Sequence, residues 1–163
     1  MNKIIPYTRE TVPDHWLDQQ RMIKGVVYDK WTEYDKIISS FKTFRISPVN
    51  QQKVLEALHD EKTWDWFIQC NGANIVSEPG WKGPFSPPYV RHDYRWEKGE
   101  ITLESNHEME ELQDDYGMDD WRSKARYIGV TWFGLPFYKT VNWFKSFFTS
   151  PKKSKYRNTI FKK

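Results

Sequence analysis

The chain has 163 residues, is 38% hydrophobic and 17% aromatic with nine Trp, and carries a formal net charge of +3. That length suits one domain with an extension better than two domains, and so small a charge gives no argument for a nucleic-acid partner. One cysteine, Cys70, excludes an intramolecular disulfide and points to a reducing compartment.

The sign of the charge is unevenly spread. Residues 104–120 hold eight carboxylates and no Lys or Arg, whereas residues 139–163 hold eight Lys or Arg and no carboxylate. These two segments can pair within one molecule or between neighbours, or be a solvated acidic helix face and a basic tail. Residues 1–6 lack the apolar run of a signal peptide, and no stretch reaches the length of a membrane span.

Residues 1–12 read as irregular. From Asp14 the pattern reads as helical: Ile23, Val27, Trp31, Tyr34, Ile38 and Phe41 fall three or four apart. That predicts one long helix, or a pair broken near Gly25, with an apolar stripe that is core or a partner-facing seam. Ser47-Pro48 restarts a helix, Ser as cap and Pro at its first position, with Val54, Leu55 and Leu58 on the buried face and an end near Asp60. The first 62 residues are therefore expected to be a helical N-terminal extension.

Residues 63–69 are rich in β-formers and partly alternate, which predicts a short strand. Residues 70–83, with three Gly, read as a long loop of the kind that often carries function. Ser86-Pro87-Pro88 then predicts a helix start, because proline at the first helical positions loses no hydrogen bond. On that helix Tyr89, His92 and Trp96 share a face and Asp93 stands about 100° away. After a turn at 97–100, Ser105 is expected to cap a second helix with Met109 and Leu112 inward and Gly117 near its end. A third helix follows over 121–130, with Trp121, Ala125 and Ile128 on one face. Trp143, Phe144, Phe147 and Phe148 form an aromatic face before a basic tail that includes Lys152 and Lys153. These six are the candidate partner-binding residues. His15, His59 and His107 are expected at the surface, and Cys70 in the core as a small apolar residue. No Walker loop, zinc pair or dinucleotide fingerprint is present.

Asn71-Gly72-Ala73-Asn74-Ile75, then Gly83-Pro84-Phe85-Ser86-Pro87-Pro88-Tyr89, then His92-Asp93-Tyr94-Arg95-Trp96, and last the 126–134 run Arg-Tyr-Ile-Gly-Val-Thr-Trp-Phe-Gly, occur in that order. Together with Asn106 they resemble a family of small bacteriophage and prophage proteins over residues 63–138. More distantly the His-Asp helix resembles secreted phospholipases A2. These resemblances imply a mainly α fold, phospholipase-A2-like, with a His-Asp helix packed on a second helix and minor β. They divide the chain into an extension at 1–62, a core domain at 63–138 and a tail at 139–163.

The phospholipase resemblance implies that His92 is a general base, Asp93 a calcium ligand assisted by carbonyls near Gly80 and Gly83, and Asn106 the residue orienting His92. Calcium is a hard cation that takes oxygen donors, and histidine is a base near neutral pH. At Asn106 and Trp96 the chain departs from that family, which has Asp and Tyr there. A neutral amide holds an imidazole but does not stabilise its cation; the same exchange in a serine-protease triad lowers turnover about 10⁴-fold. Glu104, Glu108 and Asp115 remain alternative backing acids. The expectation is a non-catalytic virion component of the neck, tail or connector, located in the virion or host cytoplasm, with other virion proteins or its own copies as partners. The alternatives are a calcium-dependent phospholipase-like or lysis-related hydrolase acting at a membrane surface and, ranked below it, nucleic-acid binding by the tail.

Overall fold

The computed structural model describes residues 3–70, 81, 83–134 and 136. The chain is mainly helical, with seven α-helices and one two-stranded sheet among these residues. In order they are α1 Asp14–Leu17, β1 Gln20–Ile23, β2 Val26–Asp29, α2 Lys30–Thr43, α3 Pro48–His59, α4 Trp66–Gln69, α5 Pro87–Glu97, α6 Leu103–Asp115 and α7 Asp120–Gly129, followed by a π-helical turn, Val130–Gly134. No helix among the described residues is long and apolar enough to cross a membrane.

Two expectations about secondary structure are corrected. The predicted helix from Asp14 is interrupted by an antiparallel hairpin, paired from Gln20↔Asp29 to Ile23↔Val26. Its two-residue turn places Lys24 at φ 50° and Gly25 at φ 79°, the left-handed pair that a tight hairpin turn requires. Ile23 and Val27 match a helical spacing by coincidence, and the β-branched run Val26-Val27 belongs to a strand. The extension is therefore not all helical. Conversely, residues 63–69 form a turn and α4 rather than a strand: Asp65 accepts from the Phe67 N–H at 3.1 Å and caps a short helix. The minor β content lies in the hairpin. Arg21 ties it down, its Nη1 donating to the Phe67 and Cys70 carbonyls at 2.7 and 3.0 Å where α4 runs out of partners.

The helix boundaries have local causes. Ser47 Oγ accepts from the Asn50 N–H at 3.3 Å and Pro48 opens α3. Pro87 and Pro88 open α5 after Ser86. Ser105 does not cap α6: Thr102 does, and Ser105 closes a capping box from the third position. Helices α2, α5 and α6 all end in the same paired motif, in which the residue after the C-cap is left-handed: Arg45 at φ 55°, Gly99 at φ 81° and Gly117 at φ 75°.

One continuous core runs from Val12 to Tyr116 and draws on both the first 62 residues and α5–α6. It is built from rings. Trp16 meets Tyr34 edge-on at 5.3 Å, Trp66 meets Phe85 at 5.2 Å and 89°, and Trp64 meets Tyr94 at 5.5 Å. Each such pair adds about 0.5–1.5 kcal/mol beyond its buried area. Helices α3, α5 and α6 are also joined by charge. Buried Glu108 takes Arg91 Nε and Arg95 Nη1, both at 3.1 Å, and Lys53 Nζ at 3.4 Å, while Arg91 Nη1 reaches Glu56 at 2.8 Å. Burial pushes the Glu108 carboxyl up, but Arg91, Arg95 and Lys53 outweigh it and hold it below its ordinary value.

Candidate functional site

The short link between α5 and α6 turns the chain back, so α5 lies along α6 and presents His92 to it. His92 is 7% exposed and Asn106 is fully buried. The ring Nε2 lies 3.1 Å from Asn106 Oδ1, and Asn106 Nδ2 donates to Thr131 Oγ1 at 3.2 Å. An amide oxygen only accepts, so this network places an imidazole hydrogen on Nε2. The Trp96 ring stands 4.6 Å from that of His92, and its Nε1 donates to Ser105 Oγ at 3.3 Å. The predicted aromatic–imidazole face of α5 is thus turned into the protein.

Asp93 points elsewhere. Its Oδ1 is 3.7 Å from His92 Nδ1, beyond hydrogen-bond reach, while its Oδ2 accepts from Cys70 Sγ at 3.4 Å. The arrangement reads in line as Cys70, Asp93, His92, Asn106, Thr131. The structure therefore brings His92 and Asn106 into contact and sets Asp93 beside them. Trp143, Phe144, Phe147, Phe148, Lys152 and Lys153 lie outside the described residues, as do residues 71–75 and Gly80.

None of the alternative backing acids reaches His92. Glu108 is held by two arginines and a lysine, Asp115 accepts from Asn50 Nδ2 at 2.7 Å, and Glu104 is 82% exposed near Arg95. The Glu108 charge is thus used between helices, and the ring nitrogen that faces α6 is backed by an amide. Of the expected calcium donors, Asp93 and Gly83 lie among the described residues and Gly80 does not. Among the described residues no group of three His, Cys, Asp or Glu could hold a metal. A Cβ added at Gly83 would sit 3.3 Å from the Lys36 ammonium and 3.6 Å from a Glu33 carboxylate oxygen, so that loop glycine is bordered by an ion pair.

Sequence reasoning missed Thr131, which completes the chain behind Asn106. Its only signal was a hydroxyl on α7's continuation, and the π-helical turn that aims it has no marker in composition. It also placed His59 at the surface. The structure half-buries this ring, stacked on Tyr7 at 4.0 Å and 6° with Tyr34 Oη 2.9 Å from its Nε2. Exposed His15 and His107 are paired with Glu61 and Glu110. Comparison with protein-family models, with curated proteins and with solved structures finds no match for this chain.

Proposed function

We propose that this chain is a non-catalytic structural or assembly component of a bacteriophage particle, built on a phospholipase-A2-like arrangement of two helices. The observation that carries the non-catalytic reading is the contact between His92 and Asn106. Proton abstraction by His92 would create a largely buried imidazolium whose hydrogen-bonded neighbour is a neutral amide already committed to Thr131, while the nearest carboxylate, Asp93, stands 3.7 Å from Nδ1 and outside hydrogen-bond reach. The same contacts suit a structural role, because the pair links α5, α6 and the turn after α7 by buried hydrogen bonds. The phage assignment rests on the ordered motifs of residues 71–134.

The full chain is incubated with phospholipid vesicles, with and without calcium, and fatty-acid release is followed beside the His92→Ala variant. The expected result is no calcium-dependent release from either protein and a lower melting temperature for the variant. Release that needs both calcium and His92 would overturn the proposal in favour of a calcium-dependent lipid hydrolase. For the assembly role, the chain should co-purify with assembled particles of the phage that encodes it. Its absence from purified particles would remove that half of the reading.

A further inference from the structure

The sequence divides sharply at α7. Residues 1–120 carry all 22 carboxylates against 14 Lys or Arg, whereas residues 121–163 carry 11 Lys or Arg, no carboxylate and 12 aromatic residues. Helix α7 is where this basic, aromatic segment begins, and it is placed the wrong way round for a core helix. The residue it buries is Ser123. Trp121 is 67% exposed, Ile128 51% and Trp132, in the π-helical turn, 72%, with Ala125 exposed between them. Their spacing of four, three and four puts all of them on one side of the helix. Arg122 and Lys124 flank that ridge, one on each side, with exposed side chains. The acids of the first turn, Asp119 and Asp120, are each paired with them, at 3.4 and 2.8 Å.

We propose that this outward face of α7 and of the turn after it seats on a bilayer surface bearing anionic headgroups. A ridge of apolar side chains bounded by cations and headed at both ends by indoles is what an interfacial helix presents. The indoles lie at headgroup depth and the aliphatic side chains just below, while Arg122 and Lys124 exchange their weak, exposed ion pairs with Asp119 and Asp120 for the phosphates. The charge of residues 121–163 complements such a surface and is screened by salt. The ridge is convex, so a protein partner would have to supply a matching groove, and stacked nucleic-acid bases would need a cleft rather than a helix crest. A bilayer accepts a convex apolar edge without either. The inference draws nothing from His92, so it stands or falls separately from the non-catalytic reading.

The test is co-sedimentation of the full chain with phosphatidylcholine vesicles, with or without phosphatidylserine, in about 0.1 M salt. Wild type is expected to bind the anionic vesicles about tenfold more tightly than the neutral ones. Trp121→Ser/Trp132→Ser is expected to lose a further factor of about ten while melting at the wild-type temperature, since both rings are exposed. Three results would overturn the proposal. One is absence of vesicle binding. Another is unchanged binding by the double variant, which would assign the affinity to the basic residues beyond α7 alone. The third is a concentration-dependent increase in sedimentation coefficient without lipid, abolished by the double variant, which would make the ridge a protein–protein contact.

Discussion

His59 makes the stability of this protein depend on pH. Tyr34 Oη accepts from the Tyr7 backbone N–H at 2.8 Å, so its own hydrogen is free to go to His59 Nε2 at 2.9 Å. The ring must then be neutral at that nitrogen. Burial, only partly countered by Glu61, pushes the His59 pKa from 6.5 down to about 4, and burial likewise pushes the Tyr34 hydroxyl above the ordinary tyrosine range. The folded-state value is depressed, so the unfolded chain binds the proton first. The stabilisation is complete above pH 6.5 and is lost as pH falls towards 4. A gap of that size corresponds to about 3.4 kcal/mol, and solvent screening of a half-exposed ring reduces it to about 1.5–2 kcal/mol. Urea unfolding at pH 7.5 and pH 4.5 measures the loss. His59→Gln keeps an acceptor for Tyr34 but cannot titrate, so its stability should fall less over the same interval, by about that amount. Comparing the two proteins cancels the carboxylates, including Glu33, whose burial raises its pKa and gives it the opposite slope. Parallel pH profiles for the two proteins would refute the reasoning.

The other predictions concern buried contacts. Lys30 is fully buried against the Trp16 ring and pairs with Glu61 and with Asp65 at 3.3 Å. Removing one partner of such a cluster costs about 3–5 kcal/mol. Here Lys30→Ala should fall near the lower end in chemical denaturation, because both carboxylates keep some access to water. Asn106→Leu leaves the His92 and Thr131 groups without their shared partner and should cost about 2 kcal/mol by the same measurement. Exposed Arg45 occupies the left-handed position after α2, so Arg45→Gly should raise stability by about 0.5–1 kcal/mol, seen as a higher melting temperature.

Where local chemistry decided the structure, it was legible. Ser47-Pro48 and Ser86-Pro87-Pro88 mark the starts of α3 and α5, and Gly117 marks the end of α6. Val54, Leu55, Leu58, Met109 and Leu112 are all buried as their spacing predicts. The misreadings arose where two periods overlap. The stripe through Trp31, Tyr34, Ile38 and Phe41 is helical, but extending it back through Val27 and Ile23 absorbed a hairpin whose Lys-Gly turn lacks the usual Asn or Asp. Residues 63–69 carry strand-like rings that serve the core from a single helical turn, a case of packing overriding propensity.

The candidate site shows a different limit. Sequence order was enough to set His92, Asp93 and Asn106 on two neighbouring helices. It was not enough to say what charge surrounds them, because that depends on which acid each arginine takes. Arg91 and Arg95 take Glu108, one of the acids the sequence offers as backing for His92. Once that carboxylate is neutralised between helices, an aspartate at position 106 would have added another buried charge to α6, two residues from Glu108, with one histidine to pair it. Asparagine avoids that cost and still spans from His92 to Thr131. The amide and the Glu108 cluster are thus two parts of one solution: charge is concentrated where three basic groups meet it, and the side of His92 that faces α6 meets a neutral amide.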